Sequence, residues 1–397
     1  MKKYFAFMLA VIMAFYTCSF ASFADEGDKN GAEYEITPAE IDVSVNSALL
    51  MEASTGKILF EKNADNAASP ASVTKIMTLL LVMEAIESGA LTVEDKIFIS
   101  SYAAGMGGSQ VFLKEGESMT VEELVKCAVI ASANDAAVAL AETVAGSEDA
   151  FVRRMNEKAK ALGMSNTNFE NVTGLDDTTV NHVTSARDIA IMSRELIKYD
   201  LITKYSSLWQ DTIRNGEFTL TNTNRLVRFY DGCNGLKTGS TDKAGFCISA
   251  TDKRGDMQLI AVIMGADTRD ERNQAARSLL DYGFANYAVY SEDEAEVERV
   301  PVYSGSVDEL SVYSAPFSAI VHKSDIGRIS KNFNIPSNIN APCKFGDEVG
   351  SIVYTIGGAK LGESAIFIKE DVEKIGVVDI FGRILNAVLC GSSKKVE

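Results

Sequence analysis

Residues 73–89 predict a helix that is apolar on every side, and this is the feature that most constrains the fold. Five consecutive apolar side chains run from Leu79 to Met83, so no single stripe can face a core. A helix of this kind is stable only when other elements enclose it. Pro70 suits its first turn and Gly89 suits its end. The chain therefore needs a layered domain built around this helix.

The surrounding pattern predicts one α/β (α+β) domain with an antiparallel sheet over residues 41–290. A turn signal at Thr55-Gly56 separates two early strands, and a late hairpin turns within residues 252–256. Further helices are predicted over residues 121–146, 148–162, 184–200 and 271–287. Thr120, followed by Glu123, and Thr184 are the predicted N-caps of the first and third of these helices. The length of 397 residues leaves room for a second domain.

The pattern changes after residue 290. Residues 291–300 are acidic and are predicted to be a linker, and short alternating segments over residues 298–370 predict a small all-β domain. Residues 371–397 have the period of an amphipathic helix. Asp379 and Arg383 make this tail unsuited to crossing a bilayer. It either lies in the membrane interface as an anchor, or packs on its own domain or a second copy.

The amino terminus predicts export. Lys2 and Lys3 precede an apolar stretch, and small residues suit cleavage before Asp25, so residues 1–24 have the form of a secretory signal peptide. An uncleaved anchor is the alternative, although the apolar run is shorter than a full span. Residues 25–40 are predicted to be a flexible leader. Together with the tail, these features predict an extracytoplasmic protein attached to the outer face of the cytoplasmic membrane.

Charge and composition exclude several classes of partner. The net charge of −17 argues against nucleic acid, because phosphate binding needs basic patches. With only His182 and His322, a histidine metal site is improbable, and no cofactor is predicted. The cysteines left after cleavage are odd in number and scattered, which does not suggest a disulfide framework. Cys233 and Cys247 either pair across a hairpin or are buried thiols.

Ser72 and Lys75 form the first of three short motifs that carry chemistry. Positions i and i+3 share one face of a helix, so the hydroxyl and the amine can meet. A serine becomes a nucleophile when a base takes its proton, and lysine can be that base when burial or nearby cations lower its pKa. A capping serine with a surface lysine is the alternative for this motif alone.

The second and third motifs are Ser132-Ala133-Asn134 and Lys237-Thr238-Gly239. The second motif lies inside an alanine-rich run. Its hydroxyl can relay a proton and its amide can hold a peptide carbonyl; alternatively, the motif simply interrupts or caps a helix. On an edge strand, the third motif offers a cation, a hydroxyl and a glycine that permits close approach of a peptide. Taken alone, the third motif is as consistent with a turn that carries a solvated lysine.

Together, the three motifs in this order are typical of penicillin-binding proteins and class A β-lactamases. The residues that flank the three motifs narrow the choice of family. Residues 44–290 closely resemble the low-molecular-mass penicillin-binding proteins that are serine-type D-alanyl-D-alanine carboxypeptidases, the peptidase S11 family. The β-domain and the tail are also similar to that family's second domain and anchor. The resemblance implies a penicillin-binding/β-lactamase-like transpeptidase domain, a small all-β domain and a C-terminal amphipathic helix.

The resemblance also implies roles for individual residues. Ser72 would be acylated, Lys75 would be the general base and Ser132 would relay a proton. The implied substrate-binding residues are Asn134, Lys237, Thr238, Gly239, Ser240 through its N–H, and, for the terminal carboxylate, Arg272. The chain departs from the family's pattern at Ser240, where histidine is frequent, and at Ala133, where glycine is common. An upstream arginine of some members falls on Thr223, with Arg225 as a second candidate.

The implied reaction removes the terminal D-alanine from peptidoglycan stem pentapeptides ending in D-Ala-D-Ala, and β-lactam antibiotics would acylate the same serine. A class A β-lactamase is disfavoured, because no Glu-x-x-Leu-Asn string lies between Asn134 and Lys237. Two alternatives stay open. One is an endopeptidase that cuts cross-linked muropeptides with the same site, and the other is a non-catalytic protein that binds penicillin or muropeptides.

Overall fold

A computed structural model describes residues 33–36, 41, 43–177, 179–376, 379–382 and 385. The strands of the first domain, in chain order, are β1 (Ser47–Glu52), β2 (Ile58–Lys62), β3 (Lys96–Phe98), β4 (Ser118–Thr120), β5 (Gln210–Ile213), β6 (Phe218–Thr221), β7 (Cys233–Thr241), β8 (Gly245–Arg254) and β9 (Met257–Ala266). Its α-helices are α1 (Lys75–Glu87), α2 (Ser101–Ala104), α3 (Val121–Ile130), α4 (Asn134–Ala145), α5 (Glu148–Ala161), α6 (Ala186–Leu196), α7 (Asp200–Ser206), α8 (Leu226–Phe229) and α9 (Arg269–Asn286).

A five-stranded sheet in the order β2-β1-β9-β8-β7 forms the middle layer of this domain. Every neighbouring pair in it is antiparallel, as the sequence predicts. Two short hairpins, β3-β4 and β5-β6, lie outside it. The order leaves β7 at one edge, so its outer side is free to meet another chain segment.

The sheet is buried on both faces, because alternate residues of a strand point to opposite sides. Leu49 and Met51 of β1 belong to a core that also contains helices α1, α3, α4, α5 and α6. Ala48 and Leu50 belong to a second core, which α9 covers. The prediction of an α/β (α+β) domain with an antiparallel sheet is confirmed.

Helix α1 is enclosed as its sequence requires. Every residue from Lys75 to Met83 is buried, and the helix ends at Glu87. A 3₁₀ turn over Ala71–Thr74 precedes it, so the regular helix begins later than Pro70 suggests.

The prediction of one continuous helix over residues 121–146 is wrong. The helix ends at Ile130 and a new one begins at Asn134, with Ser132 between them at a φ of 60°. The apolar period continues across the break because both helices bury the same kind of face, so periodicity alone does not show it. The capping box at Thr120 is confirmed.

The predicted N-cap of α6 is also displaced by one residue. Ser185, not Thr184, accepts the hydrogen bond from the Asp188 N–H. The Thr184 backbone instead pairs with Ala68, which ties the segment before the helix to the segment before Ser72.

The second domain is built almost entirely of strands: β10 (Tyr287–Glu292), β11 (Ala295–Tyr303), β12 (Glu309–Ser314), β13 (Phe317–His322), β14 (Ile329–Asn334), β15 (Ile339–Asn340), β16 (Glu348–Ile356) and β17 (Ala359–Ile368). A sheet in the order β14-β16-β17-β12-β11-β15 and the pair β10-β13 form it. Stacked rings of Phe317 and Tyr354, with centroids 3.8 Å apart, lie in its core. This confirms the predicted all-β domain.

Residues 291–300 are not a linker. Residues 291–292 end β10 and residues 295–300 begin β11, so only residues 293–294 connect the two strands; in β11, Glu296 and Glu298 are exposed while Val300 is buried. Alternation of this kind belongs to a strand with one solvated face. The two domains are therefore joined through consecutive elements, since β10 follows α9 directly.

Parts of both terminal segments contact the folded domains. Within the predicted leader, the Tyr34 N–H donates to the Lys360 carbonyl and its hydroxyl donates to Asp325, both in the second domain, whereas Ile36 is buried in the core that α9 covers in the first domain. In the tail, residues 379–382 and 385 are helical, while most of the predicted amphipathic helix and all of the signal peptide lie outside the described residues. No helix in the described part of the chain is long and apolar enough to cross a membrane.

Candidate active site

The amine of Lys75 lies against the hydroxyl of Ser72. Its Nζ is 3.0 Å from Ser72 Oγ and donates a second hydrogen bond of 2.9 Å to the Thr173 carbonyl. The 3₁₀ turn places the two side chains on one face, as the i, i+3 spacing predicts. This is the contact that activation of a serine by a lysine requires.

The environment of Lys75 favours the neutral amine. Complete burial lowers the pKa of Lys75 well below its usual value, and the nearby Lys237 cation lowers it further. The Asp135 carboxylate opposes both effects. A neutral lysine at this position can accept the proton of Ser72.

A chain of hydrogen bonds holds the turn that carries Ser72. Thr74 Oγ1 donates to the Ala71 carbonyl at 2.8 Å and lies 2.8 Å from His182 Nε2. His182 Nδ1 accepts from the Glu170 N–H at 3.0 Å, so Nε2 carries the proton and donates to Thr74. Burial lowers the pKa of His182 to about 4, which keeps the ring neutral. This contact of His182 with the nucleophile's turn was not predicted from the sequence.

Gly174 presses against the same turn. It has a φ of 81°, and a Cβ added there would lie 1.8 Å from the Ala71 carbonyl oxygen. The Asn171 side chain accepts from the Gly174 N–H at 2.7 Å and closes the loop. This loop also supplies the Thr173 carbonyl to Lys75, so it positions both members of the first motif.

The break between α3 and α4 presents the second motif. Ser132 lines the cleft, and its hydroxyl is buried without a hydrogen-bond partner among the described residues. Asn134 donates to the Gly107 carbonyl at 2.8 Å, while its Oδ1 likewise finds no partner in the described ranges. Two buried polar atoms of this kind are suited to a ligand, because leaving them unpaired is costly.

Asp135 supports the loop that passes over this motif. Its carboxylate accepts from the Val111 N–H and the Leu113 N–H at 3.1 and 3.0 Å. The same loop carries Ser109, whose carbonyl accepts from the Asn134 N–H at 2.7 Å. Ser109 was not predicted from the sequence, although Asp135, an acid directly after the second motif, could have indicated a loop held over that motif.

The third motif lies on the edge strand β7, as predicted. Gly239 approaches the turn of the nucleophile so closely that an added Cβ would lie 2.7 Å from the Ser72 nitrogen. Thr238 Oγ1 donates to Thr223 Oγ1 at 2.9 Å, and Ser240 is exposed beside the cleft. A glycine is therefore required at position 239 for contact between strand and turn.

Positive charge accumulates behind the strand. Burial and the neighbouring Arg272 guanidinium lower the pKa of Lys237 to about 7. Burial, and after it Arg269, lower the pKa of Arg272 to about 10. Arg269 and Arg272 line the cleft and Lys237 lies buried behind it, so basic side chains surround the site of an otherwise acidic protein.

These residues surround an open cleft of about 500 Å³. Its lining includes Ser72, Ser132, Thr238, Gly239, Ser240 and Arg272 from the predicted set. Lys75, Asn134 and Lys237 lie behind this lining and are buried. The structure thus brings all nine predicted residues to one place. Thr223 and Arg225, the two candidates for the position of the upstream arginine, also line the cleft. The structure adds Ser109, Trp209 and Arg269, for which no motif gave a clear signal.

The cysteines are not part of this arrangement. Cys233 and Cys247 are both free and buried, and in the register of β7 and β8 they face Asp252 and Gly239. They therefore behave as small buried side chains and do not pair. Within the described ranges, no group of histidine, cysteine and carboxylate side chains is arranged to hold a metal ion.

Two family models match the chain. One is described as D-alanyl-D-alanine carboxypeptidase, peptidase S11, and matches residues 34–268. The chain belongs to the D-alanyl-D-alanine carboxypeptidase family. The other model, described as penicillin-binding protein 5, C-terminal domain, matches residues 284–374. The two family models thus match the two domains of the chain, one each.

Individual relatives and solved structures support the same family. D-alanyl-D-alanine carboxypeptidase DacF of Bacillus subtilis is 43% identical over 355 residues, which are 87% of this chain and 90% of the relative. Penicillin-binding protein 5 from Haemophilus influenzae has a TM-score of 0.74 and 30% identity, over 85% of this chain and all of that one. Penicillin-binding protein D2 from Listeria monocytogenes, solved in an ampicillin-bound form, has a TM-score of 0.57 and 31% identity, over 62% of this chain and 99% of that chain. The chain is thus a hydrolase with D-Ala-D-Ala carboxypeptidase activity and a penicillin-binding fold.

Gly174→Ala is expected to reduce D-alanine release by about 100-fold, because the added Cβ displaces the Ala71 carbonyl and with it Ser72. Gly163→Ala is the matched control. Gly163 also has a positive φ, of 75°, but nothing lies within 4 Å of an added Cβ. It should cost about 1 kcal/mol of stability and leave the turnover per folded molecule unchanged. Equal activity of the two variants would show that Gly174 does not position the nucleophile.

Lys237→Gln is expected to move the rising limb of the pH profile of kcat/KM to higher pH. The neutral form of Lys75 is the active base, so activity rises as the pH passes through its pKa. Removing the Lys237 cation removes one cause of the lowered pKa of Lys75, which must therefore rise. Lys237→Arg keeps the charge and should leave the limb in place. If the rising limb of the pH profile does not move in Lys237→Gln, the charge of Lys237 does not lower the pKa of Lys75.

Proposed function

We propose that the protein removes the terminal D-alanine from peptidoglycan stem pentapeptides through an acyl-enzyme on Ser72. The observation that carries this proposal is the 3.0 Å contact between Lys75 Nζ, which is wholly buried, and Ser72 Oγ at the floor of the cleft. An intact nucleophile and base favour catalysis over a role in binding alone.

Acylation begins with transfer of the Ser72 proton to Lys75. Ser72 Oγ then attacks the carbonyl between the two D-alanines, and the developing oxyanion accepts hydrogen bonds from the N–H groups of Ser72 and Ser240. Loss of one such donor typically costs about 3 kcal/mol in the transition state. The close approach of Gly239 to the Ser72 nitrogen supports this pairing, because it keeps β7 beside the turn.

Breakdown of the tetrahedral intermediate needs a proton for the departing amine. Ser132 is placed to relay it, since its hydroxyl lines the cleft and has no other partner among the described residues. Asn134 Oδ1 is available to the peptide backbone. The terminal carboxylate of the substrate lies toward Thr238 and Arg272. Water then hydrolyses the ester on Ser72 and returns the free serine.

We also propose that β-lactams acylate Ser72 by the same route. The related protein from Listeria monocytogenes is described in its ampicillin-bound form, and a β-lactam presents both a strained carbonyl and a carboxylate, as the dipeptide does. The carboxylate would again face Thr238 and Arg272, and the Ser240 N–H would receive the carbonyl oxygen.

Ser72→Ala is expected to abolish release of D-alanine from a pentapeptide ending in D-Ala-D-Ala, a loss on the order of 10⁴-fold or more. Ser207→Ala, at an exposed serine distant in sequence from the motifs, should keep full activity. Mass spectrometry should find a penicilloyl adduct on the wild type and on Ser207→Ala but not on Ser72→Ala. Normal release by folded Ser72→Ala would place the nucleophile elsewhere.

We further propose export by residues 1–24 and attachment of the tail to the outer face of the cytoplasmic membrane. The support is the form of the signal segment, together with the exposed apolar side chains of Ile380, Phe381 and Leu385 in the helical part of the tail. Phe381 is 67% exposed. Side chains of this kind gain free energy by entering the lipid interface.

Phe381→Asp is expected to weaken co-sedimentation of the mature protein with phosphatidylglycerol/phosphatidylcholine vesicles, because it places a charge on the face that enters the lipid. Phe333→Asp is the matched control, since Phe333 is also exposed, at 52%, but lies on β14. Binding that falls in Phe381→Asp alone supports the anchor. Equal binding by both variants and the wild type would exclude Phe381 from the membrane contact.

A further inference from the structure

A loop and a hairpin border the active-site cleft. Residues 105–117 form the loop, here called the cover loop, which contributes Ser109 to the lining of the cleft, and the β5-β6 hairpin contributes Thr221. Outside the cleft the same two segments meet again, because the rings of Phe112 and Phe218 lie with their centroids 6.5 Å apart. The position of the cover loop relative to the hairpin therefore depends on contacts that do not involve the substrate.

Arg214, at the tip of the hairpin, is the main polar contact between the two segments. Its Nε and Nη2 donate to the two carboxylate oxygens of Glu117 at 2.7 and 3.1 Å, which is the bidentate geometry that a guanidinium favours. Its Nη1 donates to the Val111 carbonyl at 2.9 Å, and Nη2 also donates to the Phe112 carbonyl at 3.3 Å. One side chain thus holds the cover loop through four hydrogen bonds.

The ion pair of Arg214 and Glu117 is largely shielded from solvent. The two side chains are 21% and 20% exposed. The hydrogen bonds from Arg214 lower the pKa of the Glu117 carboxyl below its usual value, so both groups stay charged at neutral pH. Because water and salt screen a shielded pair less than an exposed one, this contact is stronger than a typical surface salt bridge.

The backbone of the hairpin tip is strained in a way that presents Arg214 to the cover loop. Arg214 and Asn215 have φ values of 53° and 55°, in the left-handed region that side chains other than glycine rarely adopt. Such conformations persist where surrounding contacts hold them. Here the Arg214 N–H donates to Glu123 Oε1 at 3.2 Å, and the guanidinium lies over the Phe218 ring, 5.5 Å from its centroid.

The cover loop is bound in turn to the second motif. The Asp135 carboxylate accepts from the N–H of Val111, the residue whose carbonyl Arg214 holds. The Gly107 carbonyl accepts from Asn134 Nδ2 at 2.8 Å, which leaves Asn134 Oδ1 without a partner among the described residues. The orientation of the Asn134 amide is therefore set by the same loop that Arg214 holds.

The segment after the hairpin is bound to the third motif. Thr223 Oγ1 accepts from Thr238 Oγ1 of β7 at 2.9 Å, and the Thr223 N–H donates to the Ile130 carbonyl at the end of α3 at 3.1 Å. These inner contacts hold the hairpin beside the floor of the cleft. Arg214 adds the outer contact, so that a closed circuit of contacts runs from β7 through the hairpin and the cover loop to the second motif.

We propose that Arg214 is a positioning residue for the carboxypeptidase reaction, which holds the cover loop against the second motif so that Asn134 is oriented before the peptide binds. The inference rests on the proposed function, because Asn134 acts there on the peptide backbone of the substrate. Arg214 lies outside the lining of the cleft, so it acts through the loop and not by contact with the substrate. A loop that is already ordered favours binding, because binding then loses no conformational entropy to order it.

Arg214→Gln is expected to raise KM for release of D-alanine from a pentapeptide ending in D-Ala-D-Ala by about ten-fold, the effect of losing hydrogen bonds to a charged group. The value of kcat should stay within about two-fold of the wild type, because the reacting groups are unchanged. A variant that merely folds less well would lower kcat in proportion to its folded fraction and leave KM unchanged. An unchanged KM in folded Arg214→Gln would overturn the inference.

A double-mutant cycle tests whether Arg214 acts through Asn134. Adding Arg214→Gln to Asn134→Ala should lower kcat/KM by less than about two-fold further, because the loop then has no amide to orient. Losses that multiply, about ten-fold in each background, would show that the two residues act independently and would overturn the inference.

Arg187→Gln is the matched control. The Arg187 guanidinium also forms a bidentate pair, with Asp65 at 2.7 and 3.0 Å, and a further ion pair with Glu61, but these partners belong to β2 and the segment after it. Its loss should lower the free energy of unfolding, measured by urea titration with circular dichroism, and leave KM unchanged. An equal rise of KM in both arginine variants would reflect general loosening of the domain and would also overturn the inference.

Glu117→Gln keeps the inference testable if Arg214→Gln does not fold. The amide retains one acceptor for Arg214 but loses the charge, so KM should rise by about three-fold. Normal D-alanine release with the wild-type KM in this variant and in Arg214→Gln rejects the role of Arg214 alone. Absence of D-alanine release from folded wild type rejects the proposed function, and the inference with it.

Discussion

The site depends on one buried amine. Lys75 has no access to solvent, and its Nζ is held between Ser72 Oγ and the Thr173 carbonyl. A buried ammonium is costly, so the protein gains from keeping this amine neutral. The apolar helix α1 supplies that burial, and the layers around α1 exist to enclose it. The catalytic base and the hydrophobic core are therefore consequences of the same packing.

The second requirement is that several parts of the chain hold one short turn. His182, through Thr74, fixes the Ala71 carbonyl, Gly174 leaves room for it, and Gly239 brings the edge strand against the Ser72 nitrogen. Except for the hydrogen bond from Thr74 to the Ala71 carbonyl, each of these contacts joins residues more than a hundred positions apart in the sequence. The nucleophile is thus positioned by backbone contacts with few degrees of freedom, which suits a site that must aim an oxyanion at fixed N–H groups.

The electrostatics reconcile an acidic protein with an anionic substrate. Burial, and after it a neighbouring cation, lowers the pKa of each of Lys75, Lys237 and Arg272, the neighbours being Lys237, Arg272 and Arg269 respectively. The protein has a net charge of −17. Arg225, Arg269 and Arg272 nevertheless line the cleft, and they bring positive charge to the place where, in the proposed function, the terminal carboxylate is received.

The sequence alone determined the class of fold, the three motifs and the layered domain, because periodicity and motif spacing are local properties of the chain. The errors of the sequence-based prediction were also local in origin. The helix over residues 121–146 was predicted as continuous although it breaks at Ser132, and residues 291–300 were predicted as a linker although all but two of them lie in β10 and β11. Only the tertiary structure decided which distant residues meet. It decided the contacts of His182 and Gly174 with the nucleophile's turn, and it decided that Cys233 and Cys247 are free. Such contacts depend on how helices and strands pack, and side-chain packing between elements distant in sequence leaves no periodic trace.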